Sequence, residues 1–191
     1  MTIQQHTYPS ETYVYRIDAH DAIIWVSDNW QMFVVANEGA ETTYADQVLG
    51  RSLWEFITGM ETRHLYQIVI QEARKRQKTV RLLFRCDAPD ERRFLRLTIN
   101  PQADGHLEFQ SQILRTERRD SVDLLRRETL RGDTIVTLCS MCKKVKIAPD
   151  DWQEIERAIN LLHLFETATP PQLSHGLCPA CFRDMMAEIA S

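Results

Sequence analysis

No run of apolar residues in this sequence approaches the ~18–20 that a membrane-spanning helix needs. The opening stretch, Met1 to Ser10, lacks the apolar segment of a signal peptide. A cytoplasmic protein without a membrane partner is the expectation. Excess positive charge is missing too: 23 Lys and Arg stand against 27 Asp and Glu, for a formal net charge of −4. That balance argues against an overall electrostatic grip on nucleic acid or anionic lipid. Missing as well are an ATP-binding glycine loop, a kinase phosphoacceptor helix, a cyclase signature, a helix-turn-helix and a serine–histidine–acid arrangement. No catalytic residue is assigned, and a non-enzymatic protein is expected.

What is present is a chain of 191 residues, 43% hydrophobic and 26% charged. This suits one ordinary domain with a real core plus a small second module. Five cysteines in a reducing compartment do not make a disulfide framework. Cys86 stands alone, while Cys139, Cys142, Cys178 and Cys181 form two C-x2-C pairs near the end. Their placement divides the chain into residues 11–115, a charged connector over 116–134, and a cysteine-rich module over 135–191.

Tyr13-Val-Tyr-Arg-Ile17 alternates apolar and polar residues, and Ile23-Ile-Trp-Val-Ser27 follows after a polar break, as in a strand hairpin. Ser27 or Asp28 can cap a helix that buries Trp30, Phe33, Val34 and Asn37 and stops at Gly39. A longer helix is predicted from Glu61 to Arg76, with the stripe Leu65, Ile68, Val69 and Ala73 and a basic end that complements its dipole. Three alternating runs, 80–86, 95–99 and 107–113, then read as strands. Two strands, helices, then three strands predict an α+β fold: an antiparallel sheet with its helices on one face. In this order, and in Trp25-Val-Ser-Asp-Asn-Trp30 and Val48-Leu-Gly-Arg-Ser-Leu-Trp-Glu-Phe-Ile57, the region resembles a PAS domain. The resemblance implies a sensor or protein-interaction module, often dimeric, whose cavity sometimes binds a cofactor.

Trp25, Trp30, Phe33, Trp54, Phe56 and Phe84 would either line such a cavity or pack as core. The Asn-Cys-Arg motif of flavin-reactive relatives is absent. His64 lies on the long helix, where some haem-binding PAS domains keep their ligand, so haem through His64 stands beside an ordinary exposed histidine. His20 and His106 fall in turns, and Cys86 reads as a small core residue. In the connector, Val122 and Leu125 sit amid charge. A solvated helical linker and a signalling helix paired across a homodimer are the two readings.

Zinc takes four ligands in a tetrahedron, and thiolates suit its borderline-soft character, so two C-x2-C turns make a complete structural site. The gap of about thirty-five residues between the pairs implies an inserted helix. Asp150 and Gln153 look like its cap, with Trp152, Ile155, Ile159 and Leu162 along one face. A second helix over 182–189 would bring Phe182, Met185, Met186 and Ile189 near one face. The module thus reads as a small helical zinc-binding unit. His175, three residues before Cys178, is either a ligand or a neighbour of one.

Cys139-Ser-Met-Cys142-Lys-Lys, Trp152 and Ser174-His-Gly-Leu-Cys178-Pro-Ala-Cys181 resemble a cysteine-rich tail of bacterial signalling proteins, where it follows PAS or receiver domains. That resemblance implies a signalling context and leaves the output partner open. Three functions follow from these observations. The first is a signal-transduction sensor or adaptor acting through protein contacts. The second is a thiol redox switch or oxidoreductase, since Cys178-Pro-Ala-Cys181 opens a helix. The third is nucleic-acid binding through Lys143, Lys144 and Lys146, which the surrounding acids oppose.

Overall fold

A computed structural model describes residues 12–36, 44–57, 59–126, 130–164 and 169–190. The first half builds a five-stranded sheet from β1 (Thr12–Ile17), β2 (Ile23–Val26), β3 (Val80–Arg85), β4 (Glu91–Pro101) and β5 (Leu107–Arg118). Their order across the sheet is β2-β1-β5-β4-β3, and every pairing is antiparallel. Between β2 and β3 run α1 (Trp30–Ala36), α2 (Ala45–Val48), a short 3-10 turn over Leu53–Glu55, and α3 (Met60–Arg76). The side chain of Phe33, together with Asn37 and Gly39, lies outside the described residues.

α3 buries Leu65, Val69 and Ala73 of the predicted stripe, with Ile70 in addition and Ile68 only partly buried, in one core with Leu97, Ile99 and Phe109 of the sheet. Arg74, Lys75 and Arg76 occupy its last turn, and Gln77 leaves it in a left-handed conformation. Arg74 also ties two turns to the helix end: it donates to the carbonyls of Gly105 and Asp18 and pairs with the Asp21 carboxylate at 2.8 Å.

Both sheet edges are covered. Ile23 N–H donates to Arg51, and Gly50 N–H donates back to Ile23, along β2. On β3, Arg81 N–H donates to the Glu188 carboxylate and Arg85 N–H to the Met141 carbonyl, so the C-terminal module closes that edge.

The module itself differs from a helical unit. β6 (Ile135–Cys139), β7 (Val145–Ala148), β8 (Asp151–Gln153) and β9 (Gln172–Gly176) form a sheet in the order β8-β7-β6-β9. β6 and β9 are parallel, and α4 (Ile155–Leu161) and α5 (Pro179–Ala190) complete the module. The helix expected from Asp150 onward is displaced. Pro149 and Asp150 make a turn, Trp152 pairs with Lys146 in β8, and α4 starts only after Glu154. Asp serves turns as well as caps, and the turn wins here.

Nor do the described residues of the connector form the expected helix: β5 runs on to Arg118, and among those residues Asp123–Leu125 make a short 3-10 turn. Val122 and Leu124, two residues apart, are both buried in a second core with Val136, Leu138, Val145, Ile155, Ala158 and Ile159. Val122 is extended and Leu124 lies inside the short 3-10 turn, so the two are buried from a tight turn and not from the face of a longer helix. Val122 is therefore a core residue and not a free contact for a dimer seam.

The larger core ignores the chain boundary between the two halves. It joins the sheet and α3 to Cys139, Met141, Cys178, Met185 and Ile189. A charged contact lies at the other end of the module. Arg85 donates to Asp87 and to Glu154, Arg92 pairs with Glu156, and Arg119 lies between Asp87 and Glu156. Among the described residues, no helix is long and apolar enough to cross a membrane.

Candidate metal centre

Cys139 ends β6, and the chain turns through Ser140 and Met141 to Cys142. Lys143, at φ 60°, sends it back so that its N–H donates to Cys139 O while Cys139 N–H donates to Lys144 O. The second turn follows β9. Cys178 precedes α5, whose first residue is Pro179, a position where the missing N–H costs nothing. Cys181 sits in the first turn of that helix. Ser140 N–H donates to Gly176 O and so joins one turn to the other.

The result brings all four sulfurs together. Cys139, Cys142, Cys178 and Cys181 each offer one Sγ, and these atoms lie within 4.8 Å of one another. Cys142 and Cys178 are 3.7 Å apart. A tetrahedron of thiolates at the usual zinc–sulfur distance of about 2.3 Å has edges of about 3.8 Å, so the donor set and spacing fit zinc. None of the five cysteines is bonded to another. Cys139 and Cys178 are buried, and Cys142 and Cys181 half-buried.

The local donors and charges favour a cation. Cys139 Sγ accepts the Cys178 N–H and Cys178 Sγ the Cys181 N–H, each at 3.4 Å. Hydrogen bonds from the Cys142 and Cys181 thiols, opposed by burial and helped by the backbone amides of Cys142 and Cys178, hold the Cys139 thiol far below its ordinary range. The same arrangement acts oppositely on its neighbours. Hydrogen bonding to Cys139 pushes Cys142 up to about 12, and hydrogen bonding to Cys139 and Cys142 pushes Cys181 up strongly. Four sulfurs this close cannot all carry charge alone; a dication removes that repulsion and exchanges protons for metal bonds.

The remaining candidates fall elsewhere. His175 lies in β9, exposed, and does not belong to the group of four metal-capable side chains. Partial desolvation of its otherwise exposed side chain, and then the charge of nearby Lys143, lower its pKa. His64 is exposed on α3, and Cys86 is half-buried, its N–H on the Arg93 carbonyl. Lys143 Nζ donates to the Ser140 carbonyl, so one of the three lysines is engaged by the turn itself.

The aromatic candidates separate as well. Trp54, Phe56 and Phe84 pack half-buried on the larger core, and Trp30 meets Tyr15 edge-on at 5.9 Å. Trp25 instead lies under the Arg16 guanidinium at 4.7 Å.

Sequence reading missed the residues around the cysteines. Gly59, Glu61, Thr62 and Gly176 all touch the two turns or the chain beside them. The one available signal was a glycine directly before a helix start, Gly59, and another two residues before a C-x2-C pair, Gly176. No family model matches the chain, and no curated protein matches it.

Proposed function

We propose that the protein is a signal-transduction sensor or adaptor. In this reading residues 11–115 form a PAS-like sensing body, and the cysteine-rich module carries a structural zinc ion and gives the output through protein contacts. The observation that carries the metal is the convergence of four sulfurs within 4.8 Å. The sensing half rests on the order of strands and helices, with Tyr15 and Tyr66 partly buried against its core. Tyr15 stacks on Phe109 at 4.6 Å, and burial, then the nearby Tyr66, raises its pKa. Burial pushes Tyr66 up to about 12.

Protein purified from the cytoplasm without added cofactor is the material for the test. One zinc per chain, with four thiols reactive only after chelation or denaturation, is the expected result. An absorption spectrum of the same sample reports haem or flavin. Metal-free protein with two disulfides would replace the zinc by a thiol redox switch, a second reading favoured by the 3.7 Å approach of Cys142 to Cys178 across the two pairs.

A further inference from the structure

The cysteine centre lies against the first turn of α3, which reaches both cysteine-bearing turns at once. Glu61 Oε2 accepts the N–H of Leu177, the residue before Cys178, at 3.0 Å. One residue further, Thr62 Oγ1 shares a 2.6 Å hydrogen bond with Oγ of Ser140, the residue after Cys139. Two glycines permit this approach. At Gly176 a Cβ would lie 3.1 Å from Glu61 Oε2 and 3.0 Å from Thr137 Cγ2, so even alanine would press on the carboxylate. At Gly59, with φ +84°, a Cβ would be strained and would stand 3.4 Å from the His175 carbonyl oxygen. Glycines far apart in sequence thus serve one contact.

From this geometry we infer that Glu61 and Thr62 are positioning residues for the metal centre, linking metal occupancy to the state of α3. The inference rests on the reading of the four cysteines as a metal site. One polar contact to each pair lets a single helical turn set the separation of the two halves of the ligand shell. Groups that orient ligands from outside the shell commonly change metal affinity by about 10–100-fold. The coupling runs both ways. α3 is also the helix that covers the five-stranded sheet through Leu65, Val69 and Ala73. Any event in that body that shifts its first turn changes metal affinity by the factor with which metal changes the turn.

The test uses the full chain and zinc itself. Zinc affinity is measured by competition with a chelator for the wild type, Glu61→Ala, Thr62→Val, the conservative pair Glu61→Gln and Thr62→Ser, and the distant core control Ile23→Val. Amide exchange at residues 63–65 and 177 is followed in wild type with and without zinc. Expected are losses of about 10-fold or more for the Ala and Val variants. Gln and Ser, which keep an acceptor and a hydroxyl, and Ile23→Val should stay near wild type. Zinc removal should speed exchange at residues 63–65 as well as at Leu177. Wild type that holds zinc, with unchanged affinity in Glu61→Ala and Thr62→Val and unmoved exchange at 63–65, overturns the link and leaves the metal site standing. Wild type that takes up no zinc overturns both. Should the Ala and Val variants fail to fold, the wild-type exchange data decide.

Discussion

The five-stranded sheet pairs β4 with β5 in continuous antiparallel register from Glu91↔Arg118 to Pro101↔Leu107, with one bulge after Phe94. In the four-stranded sheet β6 and β7 meet through the single pair Leu138↔Val145. The first sheet has the longer ladder and packs most of the larger core. The second has strands of three to five residues, and its two ends are supported differently. Its α4 end packs on Val122 and Leu124 in the second core. Its cysteine end has no separate core and shares the one under α3. Small modules of this kind depend on outside help: the body of the protein is one source, and the proposed metal at the four cysteines would be the other.

That contrast breaks first at the metal. Cys142→Ser, or chelation, should destabilise the chain by several kcal/mol, on the scale of the ~10 kcal/mol that structural zinc contributes in small domains. Because Cys139 and Cys178 lie in the same core as Val69 and Phe109, the loss should appear in both halves. Far-UV circular dichroism and tryptophan fluorescence should then report one coincident transition at lower temperature. Two separate transitions, the first confined to residues 135–186, would make the contact a docking of independent units.

The ionic end offers a second and smaller break. The Asp87 side chain is 1% exposed and faces both Arg85 and Arg119. Arg85→Met should cost about 3–5 kcal/mol, because it leaves a buried carboxylate short of a partner. Arg85→Met combined with Asp87→Leu should recover much of that loss. Urea unfolding of the two variants checks this, and equal losses in both would mean that the charges themselves hold the module in place.

Legibility followed the same division. Val80, Leu82, Leu95, Leu97, Ile99, Leu107 and Phe109 alternate along long strands, so period and burial coincide and the strands could be read directly. The Leu65–Val69–Ala73 stripe was equally plain. The convergence of the four cysteines was legible because two C-x2-C turns need few other residues to suggest a shared site. β8 was not legible: three residues carry no period, and Asp150 with Gln153 imitates a helix cap. The connector misled because its charges resemble a solvated helix, whereas Arg119 is bound to the Pro89 and Ala88 carbonyls and Val122 is buried. The contacts of Glu61 with Leu177 and of Thr62 with Ser140 span sequence separations of 116 and 78 residues, beyond the reach of any local pattern.

The smallest effect expected is a dependence on pH. Burial raises the pKa of Glu156, but the Arg92 guanidinium, hydrogen-bonded to it, and the charge of Arg119 more than offset this, so the carboxyl titrates below its ordinary value. A depressed folded-state pKa binds protons more weakly than the unfolded chain does. Its contribution is therefore complete above the unfolded pKa of about 4.3 and is lost as pH falls through the lower, folded value. With the Glu156 side chain 38% exposed, solvent screens the pair, and exposed pairs are worth about 0.2–1 kcal/mol. Glu156→Gln should lower the unfolding temperature slightly at pH 7 and approach wild type as pH falls below the ordinary carboxyl range. A constant difference between the two proteins across that range would place the stabilisation in the shape of the side chain, not in its charge.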